Sequence, residues 1–145
     1  MDKEIVVGVC IKSESNEILM VKEAKGEIKG LLNIPAGRLD SSESIFEGAI
    51  REAKEETGYD VRLDSVLCIQ YLKSKKLLKI IFNATIISGA INFDENEIMD
   101  VKWVPIEELE KMTENELRSY DSNINIIMDV MNDRKYPLDI IENLK

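Results

Sequence analysis

Between Ser44 and Thr57 the apolar residues Phe46, Ala49, Ile50 and Ala53 fall at i, i+3, i+4 and i+7, and Gly58 stands where a left-handed cap ends a helix. A helix with such a stripe has to cover a hydrophobic layer, and the flanking sequence supplies one. Runs rich in Ile and Val at 4–11 and 17–21, separated by the polar stretch 12–16, predict a strand pair joined by a turn. A polar segment at 23–30 leads to a short apolar run at 31–34 and a loop, Pro35-Ala36-Gly37-Arg38. Residues 61–71 and 77–88 predict two long strands around the basic turn Lys73-Ser74-Lys75-Lys76; 101–104 predicts a further strand, and 105–112 and 122–131 predict helices. Strands and helices mix without a regular βαβ alternation, an internal repeat or a low-complexity linker, which predicts an α/β sandwich built on a mixed sheet.

With 145 residues and 44% hydrophobic content, the chain is one domain's worth of protein, so 1–145 is read as a single domain ending in a helix and tail. Its 19 basic and 28 acidic residues give a net charge of -9, which opposes the cation-rich surface that duplex nucleic acid or an anionic membrane attracts. A small phosphorylated metabolite or nucleotide is the expected partner, received by a metal ion or a local basic patch. Lys73, Lys75, Lys76 and Lys79 form one such patch, or simply a charged hairpin tip. There is no His, and the two cysteines, Cys10 and Cys68, lie in apolar runs, which predicts buried thiols rather than a disulfide or a nucleophile. Met1 to Glu4 lack a charged-then-apolar leader, and no apolar run approaches the roughly 18 residues of a membrane span. A cytoplasmic protein, monomeric or homodimeric, is expected.

The helix also carries the chemistry. Glu52, Glu55 and Glu56 project as a cluster at i, i+3 and i+4, with Ala49 and Ala53 on the opposite side. Like charges at these spacings destabilise a helix by a few tenths of a kcal/mol per pair, which a divalent cation would offset. Carboxylate oxygens suit Mg²⁺ or Mn²⁺. The bland account of the same residues is a solvated face in which Arg51 pairs with Glu55. Gly37, just before the helix, lets the backbone approach a ligand and present its carbonyl, and Glu43 fits the first-turn preference for acids.

Together Gly37, Glu43, Arg51, Glu52, Glu55, Glu56 and Gly58 fill every fixed position of G-x5-E-x7-R-E-U-x-E-E-x-G-U, with Ala53 and Tyr59 at the apolar positions U. On these residues the chain resembles the Nudix hydrolase family. The strands before the box and the stretch from Trp103 to Leu109 extend the resemblance over about residues 5–112. It implies a Nudix-type α/β/α sandwich and attack of water on a phosphorus of a diphosphate linked to another moiety, with Mg²⁺ or Mn²⁺ as cofactor. Carried over, Glu52, Glu55 and Glu56 are the metal ligands, one of them a general base, and the carbonyl of Gly37 or Ala36 completes the shell. Arg51 orients the glutamates and Glu43 supports them. A further ligand or base is expected from outside the box, Glu97 first and Glu95 second; either reads equally as part of a solvated acidic loop.

The loop Pro35-Ala36-Gly37-Arg38-Leu39-Asp40 and the tail Arg134-Lys135-Tyr136-Pro137-Leu138-Asp139 resemble Nudix phosphatases that release phosphate from hydroxymethylpyrimidine pyrophosphate and from nucleoside di- and triphosphates. Arg38 stands where that subgroup has His and Leu32 where it has Trp, which makes both substrate-side candidates; Arg38 offers a bidentate phosphate contact. Gly48 interrupts the helix at a cost of roughly 0.5 to 1 kcal/mol. The P-A-G loop also occurs in ADP-ribose pyrophosphatases, a second enzyme reading. A non-catalytic Nudix ligand-binding module is the reading from another class; such modules typically lose helix glutamates, and none is missing here.

Overall fold

The computed structural model describes residues 4–145. Met1 to Lys3, where a leader was sought, lie outside the described residues. In chain order the elements are β1 (Glu4–Cys10), β2 (Glu17–Glu23), β3 (Leu32–Asn33), β4 (Ala36–Arg38), α1 (Ile45–Thr57), β5 (Tyr59–Leu72), β6 (Leu77–Gly89), β7 (Ile98–Pro105), α2 (Ile106–Glu110) and α3 (Tyr120–Met131). The strands form two sheets, one ordered β4-β1-β6-β5 and the other β3-β2-β7. The first is mixed, because β1 runs parallel to β6 and antiparallel to β4.

The expected pairing of the first two strands is not what forms. β1 and β2 lie in different sheets, and among the described residues their hairpin survives only beyond the end of β1, in a Lys12–Ile18 bridge, a 3.0 Å bond from the Leu19 N–H to the Ile11 carbonyl and a 2.8 Å bond from the Ser13 N–H to the Glu17 carbonyl. The reason is burial on both faces. On β1, Val7 and Val9 face one core and Cys10 the other; on β2, Leu19 and Val21 face one and Ile18 and Met20 the other. Strands that are apolar on both faces take central positions with two neighbours each. β1 therefore sits between β4 and β6, and β2 between β3 and β7.

The two cores set the layers. Val7, Val9, Ile80 and Phe82 pack with Ala49 and Ala53 of α1, whereas Ile18, Met20, Leu67 and Ile81 pack with Leu109 of α2 and Ile126 and Ile127 of α3. The sheets thus lie between α1 on one side and α2 and α3 on the other, the α/β/α arrangement expected. Among the described residues no helix is long and apolar enough to cross a membrane.

α1 begins at a capping box, the Ser44 hydroxyl accepting from the Glu47 N–H while the Glu47 carboxylate accepts from the Ser44 N–H. It ends on Gly58 at φ 89°, as expected. Its apolar face is narrower than its sequence suggests: Ala49 and Ala53 are fully buried, but Ile50 is 39% exposed. Small residues there bring the helix close to the sheet, and Gly48 belongs to the same contact, since a Cβ on it would lie 2.5 Å from Leu39 Cδ1. The expected Pro35–Arg38 loop is in part a strand, β4, whose Gly37 pairs with Val7. Cys10 is buried and Cys68 only half-buried; both thiols are free, and burial pushes each up to about 12. The tail returns to β5, where Val66 and Tyr136 exchange backbone bonds of 2.8 and 2.9 Å.

Gly58→Ala would place a Cβ 2.5 Å from the Asn92 nitrogen and against the Ala90 carbonyl, at a backbone angle that L-residues avoid. It should cost about 2 kcal/mol or more in urea unfolding. A loss below about 0.5 kcal/mol would contradict this account of the helix end.

Candidate active site

Arg51 ties α1 to the loop before it. Its Nε and Nη2 donate to the two oxygens of Glu43 at 2.9 and 2.6 Å, and Nη2 also donates to the Arg38 carbonyl at 3.0 Å. Nη1 donates to Glu52 at 2.9 Å and to Glu55 at 3.1 Å, so the i+4 pair read from the sequence forms as one contact of several. The side-on fork on Glu43 is the strong, charge-assisted geometry. It holds the Glu43 carboxyl below its ordinary range, helped by the Asp40 N–H, which donates to it at 2.9 Å.

Glu52 and Glu56 turn the other way, toward β4. Glu52 is 8% exposed, and burial lifts its proton affinity although Arg51 opposes the rise. Glu56 as a residue is partly exposed, but its carboxyl group is enclosed and, among the described residues, accepts only from the Ala36 N–H, at 3.0 Å. Burial first and the neighbouring Glu52 second raise it well above the ordinary carboxylate range; Glu23 adds to the rise, and Arg118 and the Ala36 N–H oppose it. Gly37 closes this corner, because a Cβ there would run into the Glu52 carboxylate. A side chain at this position would have to displace that carboxylate.

Two adjacent carboxylates and the carbonyls of the Gly37 loop are oxygen donors throughout, the chemistry of a hard divalent cation. A cation there would relieve the repulsion that raises Glu56. The three helix glutamates do not converge as one cage, and no group of three ligating side chains occurs among the described residues. Glu55 lies at the surface on Arg51 Nη1, whereas Glu52 and Glu56 meet β4.

Three expected site residues stand apart from this corner. Glu97 pairs with Lys25 at 2.7 Å on the surface. Arg38 is an exposed residue whose side chain reaches Glu4 at 3.3 Å. Leu32 is 4% exposed and part of the core under α3, so it presents no open wall. Lys79 does not join a hairpin-tip patch either: it is 6% exposed and donates to the Ser122 hydroxyl at 2.9 Å, and burial lowers it to about 8.

A second polar cluster escaped the sequence reading. Glu23, 7% exposed, receives Arg118 Nη1 at 2.7 Å and Asn33 Nδ2 at 3.4 Å. Asn123, fully buried on α3, donates to Asn33 at 3.0 Å and to the Arg118 carbonyl at 2.6 Å, while its own Oδ1 has no partner among the described residues. Glu23 and Arg118 are 95 positions apart, a separation that no local spacing rule covers. The available signal was that a polar residue closes each strand, Glu23 in β2 and Asn33 in β3.

The NUDIX domain family matches residues 2–123, and the chain belongs to that family. Nudix hydrolase 8 of Arabidopsis thaliana is 34% identical over 111 residues, covering 72% of this chain and 30% of that protein. The 8-oxo-dGDP phosphatase of Danio rerio is 34% identical over 101 residues, covering 68% and 31%. The match spans about a third of the length of these curated relatives. Among solved structures, a NUDIX hydrolase from Nitrosomonas europaea superposes with a TM-score of 0.86 at 26% identity, over 99% of this chain and 98% of that one. An ADP-ribose pyrophosphatase from Streptococcus suis, 18% identical with a TM-score of 0.72, shares the fold.

Because the folded Glu56 binds its proton more tightly than the unfolded chain does, its stabilising share is present below the unfolded pKa and is lost as pH rises through the folded value. In the metal-free protein at neutral pH its charge therefore costs stability. Glu56→Gln, which keeps an acceptor for the Ala36 N–H, should raise the melting temperature in EDTA at about pH 7.5 by roughly 3 °C or more, with a much smaller gain near pH 4. An equal or lower melting temperature at the higher pH would contradict the geometry.

Proposed function

We propose that the chain is a divalent-metal-dependent hydrolase that cleaves a phosphoanhydride of a nucleoside di- or triphosphate, or of a small pyrimidine pyrophosphate, by attack of water on phosphorus. The observation that carries this reading is the Glu52 carboxylate lying against the Gly37 backbone, beside a Glu56 held by the Ala36 N–H. Glu52, Glu56 and the carbonyl of Gly37 or Ala36 are the residues that would hold Mg²⁺ or Mn²⁺. Bound there, the cation would screen the phosphate charge and make a nearby water easier to deprotonate. Glu55, the helix carboxylate open to solvent, takes the proton of the attacking water. Arg51 fixes the positions of Glu52 and Glu55 and is itself anchored by Glu43.

The relative that acts on 8-oxo-dGDP supports a nucleoside diphosphate as the substrate class, in line with the loop at 35–40 and the tail at 134–139. The ADP-ribose pyrophosphatase shares only the fold at its level of identity, so it lends the second enzyme reading no weight of its own. Of the residues expected from the sequence, Arg38, Leu32 and Glu97 have no part in this proposal.

Turnover of nucleoside di- and triphosphates, hydroxymethylpyrimidine pyrophosphate and ADP-ribose, with phosphate and pyrophosphate release scored separately, tests the reading. Glu55→Gln and Glu56→Gln should each lower kcat by at least ~10²-fold, about 2.7 kcal/mol in barrier height, while the protein stays folded. Near wild-type turnover in both variants would refute the assignment. A wild-type protein that binds these ligands without hydrolysing any would instead mark a non-catalytic module.

A further inference from the structure

A chain with a net charge of -9 that gathers carboxylates at one corner has to bring positive charge to any phosphorylated ligand arriving there. Arg51 is committed to carboxylates and to the Arg38 carbonyl, and Arg38 lies against Glu4 at the surface. Arg118 is differently placed. Among the described residues only its Nη1 is engaged, with Glu23, and its side chain remains 40% exposed. Glu23, which holds Arg118, also accepts from Asn33, three residues before the Ala36 whose N–H holds Glu56, so Arg118 is tied to the carboxylate corner through β3 and the start of β4.

Its support is unusually complete for a residue with an exposed end. The Arg118 N–H donates to the Leu32 carbonyl and the Leu32 N–H to the Glu116 carbonyl, each at 2.8 Å, which lays segment 116–118 beside β3. The Arg118 carbonyl accepts from the buried Asn123, and the buried Glu23 holds Nη1. Glu23 thus holds the guanidinium, Asn33 braces Glu23 and Asn123 holds the Arg118 backbone, while among the described residues Nε and Nη2 have no partner. Nε and Nη2 form the fork that Arg51 uses on Glu43, the geometry that matches two oxygens of a phosphate.

We propose that Arg118 is a substrate-binding residue whose Nε/Nη2 fork receives non-bridging oxygens of the ligand's phosphate chain. This rests on the reading of the carboxylate corner as a phosphoanhydride site and deepens it. The substrate then carries at least two phosphoryl groups, one held at the carboxylate corner and one at Arg118.

The test is titration calorimetry of inorganic pyrophosphate and inorganic phosphate, in Mg²⁺ and again in EDTA, on wild type, Arg118→Met, Arg118→Lys, Glu23→Gln and the Glu23→Gln/Arg118→Met double variant. Arg118→Met should weaken pyrophosphate binding at least ~10-fold in Mg²⁺, about 1.4 kcal/mol, and weaken phosphate binding less. Arg118→Lys, a point charge without a fork, should recover only part of the loss. In turnover the loss should fall on KM more than on kcat. Removing the stranded Glu23 charge in the double variant should not restore pyrophosphate binding; full restoration would show a purely structural role and overturn the proposal. Wild-type pyrophosphate affinity in a folded Arg118→Met protein that still hydrolyses nucleotides would overturn it too, leaving the hydrolase reading intact. Loss of pyrophosphate binding in Arg118→Met from a wild type without turnover would sustain the Arg118 site and refute the hydrolase reading instead.

Discussion

The Arg51 guanidinium is the contact on which the candidate site depends. It reaches back along the helix to Glu43 and the Arg38 carbonyl, and sideways to Glu52 and Glu55, so a single side chain fixes the loop against α1. A hydrogen bond to a charged group is worth about 1.5–3 kcal/mol where it is shielded, and less at the partly exposed Glu55. The consequence is a division of labour among four acids. Glu43 and Glu55 spend their charge on Arg51, while Glu52 shares it and Glu56 has only a backbone N–H. Uncompensated negative charge therefore collects at one point, where Glu52 and Glu56 face the loop.

Packing makes that point sharp. Ala49 and Ala53 are fully buried, and a Cβ on Gly48 would press on Leu39 and Val7, so α1 lies close on the sheet. β4 is registered on β1 through the Val7–Gly37 and Gly8–Ala36 pairs, which fixes the loop to the same sheet that α1 covers. Helix and loop are thus referenced to one strand, and the Glu52 carboxylate meets the Gly37 backbone as a result. Arg118 reaches the neighbourhood from the other sheet, through segment 116–118 alongside β3.

What was legible in the sequence was local. The helix, its glycine cap and the Arg51–Glu55 pair follow from spacings of three and four residues, and those spacings are properties of any α-helix. The two long strands and the basic turn were equally plain, since alternation and turn residues act over short range. Strand partnership was not, because β1 and β2 are apolar on both faces and their sequences do not say which neighbour covers which edge. Glu97 and Leu32 were assigned from pattern, and the fold gave one a lysine partner and the other a place in the core. The Glu23–Arg118–Asn33–Asn123 cluster joins four separate segments and exists only once both sheets and α3 are assembled. The split of the three glutamates was hidden for a related reason: the helix alone makes them neighbours, and only the docking of β4 against Glu52 and Glu56 sets these two apart from Glu55.

The central claim is that Glu52, Glu56 and the Gly37 loop together form the cation site of this Nudix chain. An anomalous difference map from a crystal soaked in Mn²⁺ tests it most directly. The account predicts a peak within oxygen-ligand distance, roughly 2.0–2.5 Å, of Glu52, Glu56 and a carbonyl of Ala36 or Gly37. A fully soaked crystal with no peak at that corner, or with the ion held elsewhere by other residues, would contradict it.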